Sequence, residues 1–339
     1  MKEFQSLLKD IKNKQFLPIY FFQGEETFYM DILTDEIEKG ALLEEEKGFN
    51  QTILYGKDTD FDSIISLAKQ YPMGAEKQVI IVKEAQNLST KEEDRLTFEK
   101  YLDNIQPTTL LVFNYKYKTL DGRQKLGKTL NAKKFLYASS KLYDNQIPSW
   151  IKEQTLSLGI SIDEKSTFLL AEFLGTDLSK IYNELKKLHL IIGKTGKITP
   201  EVIEKHIGIS KDYNNYELQK ALGIKNAKKC FAICNYFHQN PKANPLVLTT
   251  TVLFNFFSTI LKYHCLTDYS KANVAKELAI NPFFVSEYET SSKHYPLKKV
   301  SKAIENLRIM DLKSKGLGAS GNVTQGELLR EFLYQTIYM

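Results

Sequence analysis

Apolar residues recur at helical spacing at Phe4, Leu7, Leu8 and Ile11. Pro18 then opens a short run, Ile19-Tyr20-Phe21-Phe22, followed by Gln23-Gly24-Glu25-Glu26. Four apolar residues in a row, bounded by a proline and a glycine, predict a buried strand that turns into a helix. That helix is expected to begin near Glu25 and to run through Leu33 and Ile37 to Gly40, a C-terminal stop. Phe49–Tyr55 alternates as a strand does, Gly56-Lys57-Asp58 makes a turn, and Phe61, Ile64, Ile65, Leu67 and Ala68 return to helical spacing. Two further apolar runs, Val79–Val82 and Leu110–Phe113, predict strands, the second ending at Asn114. Apolar strands alternating with helices imply a parallel sheet covered on both faces, placed here in residues 1–145.

From Gln146 onward no strand is expected. Pro148 sits near the start of a helix, Asp163 can cap a helix that stops at Gly175, and Asp177 starts another. Thr199-Pro200 reads as an N-cap followed by a first-turn proline, so residues 146–210 form a small helical module. Residues 211–339 read as all-helical. Their breaks fall at Asn240-Pro241, Asn281-Pro282, Tyr295-Pro296 and Gly316–Gly321, and the most apolar stretch runs from Leu246 to Leu261.

With 339 residues, 42% hydrophobic and 26% charged, the chain is long enough for two or three cored domains. A net charge of +5 permits contact with nucleic acid without demonstrating it. Three cysteines, an odd number, argue against a disulfide framework and for a reducing compartment. The first ten residues mix charges with apolar positions, so no signal or transit peptide is expected, and no apolar run reaches the roughly 18–20 residues that span a bilayer. A soluble, cytoplasmic protein without membrane contact is expected.

The strand–turn–helix at Pro18–Tyr29 stands where a phosphate loop would stand. Such a loop needs convergent backbone N–H groups, a lysine for the β/γ-phosphates and a hydroxyl for Mg²⁺. Gly24 alone fits, and Glu25 and Glu26 occupy the places of the lysine and the hydroxyl. Acidic residues should follow the strand Val79–Val82 to hold Mg²⁺, yet Lys83 is the first residue there. No nucleotide or other cofactor is therefore expected. The segment 115–134 carries seven basic residues, among them Lys116, Lys118, Arg123, Lys125 and Lys128, against one acid, Asp121. It fits a nucleic-acid backbone or a partner surface, while a solvated helix face is the plainer interpretation. Cys230, Cys234 and His238 share a helical spacing, but His264 and Cys265 are adjacent and would diverge, so no metal site is expected. No Ser-His-Asp or Cys-His pattern stands above chance.

Several stretches resemble, in order, the delta subunit of the bacterial DNA polymerase III clamp loader. They are Leu17–Glu26, Tyr71–Val79, Leu120–Arg123, Val274–Pro282 and Asp311–Gly316. The resemblance implies an AAA+-like α/β domain (1–145), a helical lid (146–210) and an all-α collar domain (211–339). It also implies a non-catalytic subunit of the polymerase holoenzyme that binds and helps open the sliding clamp without using ATP. Lid helices of AAA+ ATPases open Gly-Asp-aliphatic-Arg, and the arginine reads the γ-phosphate. Here the stretch is Thr176-Asp177-Leu178-Ser179, so Ser179 replaces that charge. The implied clamp anchor lies at Met73 and Gly74, flanked by Tyr71 and Pro72. The family pattern has two bulky apolar residues there, so Gly74 departs from it. The implied partners are the beta sliding clamp, the gamma/tau ATPase subunits and delta-prime in a hetero-pentamer, and primed DNA. The alternatives are an ATP-binding clamp-loader ATPase, a stand-alone DNA-binding protein, and delta-prime, whose Ser-Arg-Cys motif this chain lacks.

Overall fold

In the computed structural model, which describes residues 2–88, 92–210, 212–318 and 323–339, the run Ile19–Phe22 lies inside a sheet. The chain divides into two units, Met1–Leu142 and Tyr143–Met339. In the first, α1 (Lys2–Lys12) leads to β1 (Ile19–Gly24), all six residues of which are buried. There follow α2 (Thr27–Gly40), the single turn α3 (Lys47–Asn50), β2 (Gln51–Tyr55), α4 (Phe61–Ala68) and β3 (Gln78–Lys83). Next come α5 (Glu92–Asp103), β4 (Thr109–Lys116), α6 (Lys125–Ala132) and β5 (Leu136–Ser139).

The strands lie in the order β2-β3-β4-β1-β5 and every pair is parallel. Right-handed crossovers fix which face each helix covers. The chain moves one way from β1 to β2 and the other way from β2 to β5, so α2 lies on one face and α4, α5 and α6 on the other. On the latter face Phe21, Ile80, Val82 and Phe113 pack with Phe61, Ile64, Phe98 and Leu130. Each such side chain contributes about 1.5–3 kcal/mol when fully buried. Phe98, stacked on Phe61 with ring centroids 5.5 Å apart, fixes α5 in this layer.

Several local expectations change. Phe49 and Asn50 belong to α3 rather than to the strand, which begins at Gln51. The second helix starts at Thr27 because Glu26 serves as its N-cap. β4 continues past Asn114 to Lys116, and β5 is a short edge strand that the basic run before it conceals.

The second unit contains α7 (Ile147–Ser157), β6 (Ser161–Ile162), α8 (Glu164–Leu174), α9 (Leu178–Ile192), β7 (Lys197–Ile198) and α10 (Pro200–Ile207). It continues with α11 (Asn215–Gly223), α12 (Ala227–Gln239), α13 (Leu246–Tyr263), α14 (Lys271–Glu277), α15 (Val285–His294), α16 (Leu297–Ser314) and α17 (Gln325–Ile337). Asp163 accepts from the Ser166 N–H at 2.7 Å and Asp177 from the Lys180 N–H at 2.9 Å, so both expected caps form. Thr199 makes no side-chain cap, and Pro200 alone starts α10. The pairing of β6 with β7, two residues each, departs from expectation, because strands that short carry no periodicity.

By length and composition α13 could cross a membrane, which also differs from expectation. Its Leu253, Phe256, Phe257 and Ile260 are buried in one cluster with Val300 and Leu307 of α16 and Leu333 of α17, the packing of a core helix. Of the glycine-rich loop Gly316–Gly321, residues 319–321 lie outside the described residues.

Candidate functional site

The carboxyl end of β1 is the topological switch point of the sheet, where open α/β folds place ligands. Here that corner is filled by the protein's own groups. The Glu26 carboxylate accepts from the Phe28 N–H at 3.1 Å, the helix N-terminal position a phosphate would take. Gly24 donates its N–H to the Lys118 carbonyl (3.0 Å) and accepts from the Tyr117 N–H (2.9 Å). Gln23 Oε1 accepts from the Leu120 N–H at 2.8 Å, while the Ser139 hydroxyl donates toward the Gln23 and Glu26 carbonyls at 3.2 and 2.8 Å. Glu25 is exposed. The segment after β4 thus crosses the end of β1 and engages the backbone groups there. Nearby, Lys83 lies 3.8 Å from Glu38 and Lys116 is 2.6 Å from Asp31, so carboxylates meet the lysines. Ser179 is exposed on the first turn of α9.

The Tyr71–Gly74 segment lies at the other end of the sheet. Because all five strands are parallel, the loop from α4 into β3 sits at their amino ends, a strand length of about 20 Å from Gly24. Its base is pinned. Gln78 Nε2 donates to the carbonyls of Leu67 (3.1 Å) and Gln70 (2.6 Å) and to Thr109 Oγ1 (2.9 Å), and the Thr109 hydroxyl donates to the Ala68 carbonyl at 2.7 Å. These bonds satisfy carbonyls that the end of α4 leaves open. Tyr71 and Met73 are 77% and 69% exposed, and Pro72 is half-buried. Gly74 has φ +65, and a Cβ there would meet nothing within 4 Å, so only the left-handed backbone, and not crowding, calls for glycine. A side chain there would cost about 1–2 kcal/mol, a physical reason for the departure from two bulky residues. Asn50, missed in the sequence because it seemed to belong to a strand, joins its side chain to the backbone of Met73.

The basic segment is less free than its composition implies. Lys116 pairs with Asp31, Lys125 with Glu99 at 3.2 Å and Arg123 with Asp121 at 3.1 Å. Hydrogen bonds from Arg123 hold the Asp121 carboxyl below its ordinary range. Lys118 and Lys128 are exposed. Cys230 and Cys234 are buried in the core of the second unit. Burial pushes the Cys230 thiol up to about 12 and raises that of Cys234 as well, so both stay protonated at neutral pH and ligate poorly. His264 Nε2 lies 2.8 Å from the Tyr295 carbonyl, and Cys265 is exposed. No group of three or more His, Cys, Asp or Glu suited to a metal occurs among the described residues.

One titratable group escaped sequence reasoning. Glu172 of α8 lies in the wall of an open cleft of about 910 Å³, together with Phe168, Asn215, Tyr216, Phe256 and Phe284. Burial pushes its carboxyl up to about 8, and hydrogen bonds from the Tyr216 N–H and the Asn215 side chain offset this only in part. Since the folded value exceeds the ordinary 4.5, the folded chain keeps a proton that the unfolded chain has released. Stability is full below about pH 4.5 and falls as the pH rises toward 8. Glu172→Gln should match the wild type at pH 4.5 and exceed it at pH 8.5, read by thermal melting. The side chain is only half-buried at the surface of the cleft, so about 2 kcal/mol is the expected gain. Parallel pH profiles would show that Glu172 titrates normally.

The sheet order, the switch-point corner after β1 and the helical unit that follows give the chain an AAA+-like fold. The family "DNA polymerase III, delta subunit" matches the chain over residues 20–138. The DNA polymerase III subunit delta of Bacillus subtilis (strain 168) is 24% identical over 338 residues, 97% of this chain and 95% of that one. A solved Bacillus subtilis DNA clamp loader delta protein shares the fold with a TM-score of 0.57 and 22% identity, covering 99% of this chain and 100% of the other. The chain thus resembles delta subunits of DNA polymerase III, in the family match over residues 20–138 and along nearly its whole length in the relative.

Proposed function

We propose that the chain grips the sliding clamp within a clamp loader and helps to open it, itself contributing no ATP hydrolysis and no other catalysis. The observation that carries this is Met73. In a chain that resembles delta subunits, a flexible apolar side chain stands exposed on a loop pinned at its base, at the place where that resemblance puts the clamp anchor. The polarisable thioether adapts to an apolar pocket, and Tyr71 and Pro72 flank it. The corner at β1 supports the ATP-free part of the proposal, since a carboxylate caps the helix and backbone groups of Gly24 are already engaged. We assign residues 1–145 to clamp binding, 146–210 to a lid and 211–339 to a collar shared with gamma/tau subunits and delta-prime. Val247, Leu248 and Phe254 of α13, apolar and exposed, suit such a collar interface. Primed DNA would be met within that assembly, in the cytoplasm, with Lys118 and Lys128 the available basic contacts.

The test is a titration of the purified chain with the cognate beta clamp, with ATP–Mg²⁺ and with primed DNA. Saturable clamp binding, no heat with ATP and little DNA affinity are expected. Micromolar ATP binding would favour an ATPase subunit. DNA binding with a steep salt dependence and no clamp binding would move the function to the basic segment.

A further inference from the structure

Residues 71–77 contain no helix or strand, yet one side chain holds the middle of this loop by both of its backbone groups. The Met73 N–H donates to Asn50 Oδ1 at 2.7 Å, and Asn50 Nδ2 donates to the Met73 carbonyl at 3.0 Å and to the Glu46 carbonyl at 3.1 Å. Asn50 is 3% exposed, whereas Met73 is 69% exposed. A residue whose backbone is fixed on both sides while its side chain stands in solvent is presented, not packed. The job needs a donor and an acceptor on one short planar group, which among side chains of this length only asparagine supplies. The residue before it, Phe49, is 78% exposed, and single scattered apolar residues are ordinary, but here two are tied to one clamp across 23 positions of sequence.

Resting on the assignment of Met73 as clamp anchor, we propose that Asn50 is the positioning residue of the docking surface. It locks the Tyr71–Met73 segment to the α3 turn and so presents Met73 and Phe49 to the sliding clamp as one preorganised, two-segment apolar surface. Without the lock the loop would have to order on binding, and that ordering subtracts from affinity.

The experiment measures affinity of the full chain for its cognate beta clamp in Asn50→Ala, Met73→Ala, the double variant and Phe49→Ala, with hydrogen exchange of the Met73 amide followed alongside. Asn50→Ala should weaken binding about tenfold and speed exchange at Met73 by a similar factor. In the Met73→Ala background it should weaken binding less than about twofold, because the residue it positions is gone. Phe49→Ala should weaken binding several-fold. Asn50→Asp keeps the acceptor and the shape but loses the donor, and it replaces Asn50→Ala if that variant does not stay folded. A full, additive loss in the double variant, or unchanged affinity in Asn50→Ala, would reduce Asn50 to a fold residue while leaving the anchor intact. Unchanged affinity in Met73→Ala would instead remove the anchor assignment, and the positioning role with it.

Discussion

A chain carrying Met73→Asp is expected to capture no sliding clamp at concentrations that saturate the wild type, while melting at the wild-type temperature. The two halves rest on different facts. Met73 is largely exposed, so its side chain contributes little to the fold, and surface substitutions of this kind usually stay within about 0.5 kcal/mol. Its backbone bonds to Asn50 are unaffected by what the side chain is. At the interface the balance is opposite. Losing a buried methionine costs about 1.5–3 kcal/mol, and forcing an unpaired carboxylate toward an apolar pocket costs several more. Together these exceed about 4 kcal/mol, a factor of a thousand in affinity. Pull-down of the clamp with matched melting curves checks both halves. Undiminished capture would refute Met73 as the anchor, and a lowered melting temperature would show that it packs against its own domain.

The central strands were legible because β1, β3 and β4 are buried on both faces and so read as unbroken apolar runs. The caps at Asp163 and Asp177 were legible because a cap is a local relation over three residues. What was hidden is non-local or short. β5 has four residues and follows a basic stretch, so its apolar content is too small to signal a strand. β6 and β7 have two residues each. The raised carboxyl of Glu172 reflects burial by residues distant in sequence, only partly offset by hydrogen bonds from α11, a relation invisible along the helix itself. The site divides in the same way. Sequence pattern marked Tyr71–Gly74 through its resemblance, but the clamp on Met73 comes from a side chain 23 residues earlier that looked like part of a strand.

Gly24→Ala should destabilise the chain by about 3 kcal/mol or more, with a melting temperature lower by roughly 10 °C. Gly24 has φ +118, which L side chains rarely adopt, and a Cβ there would stand 2.0 Å from the Ser139 carbonyl oxygen. The contact is with backbone, so no rotamer change relieves it. Neither side can retreat cheaply. Gly24 is tied through its N–H and carbonyl to Lys118 and Tyr117, and Ser139 is held by its hydroxyl to the Gln23 and Glu26 carbonyls. Gly74→Ala is the control. It shares a positive φ but meets nothing within 4 Å, so it should cost only about 1 kcal/mol. If Gly24 were kept to admit a phosphate, Gly24→Ala would fold normally and differ only in the presence of nucleotide. If it is kept because β1 and β5 close on each other at this corner, the loss appears in the isolated chain with no ligand present, and ATP does not change it. Melting of both variants with and without ATP–Mg²⁺ separates these outcomes, and an equal, small loss at the two glycines would refute the close approach at Ser139.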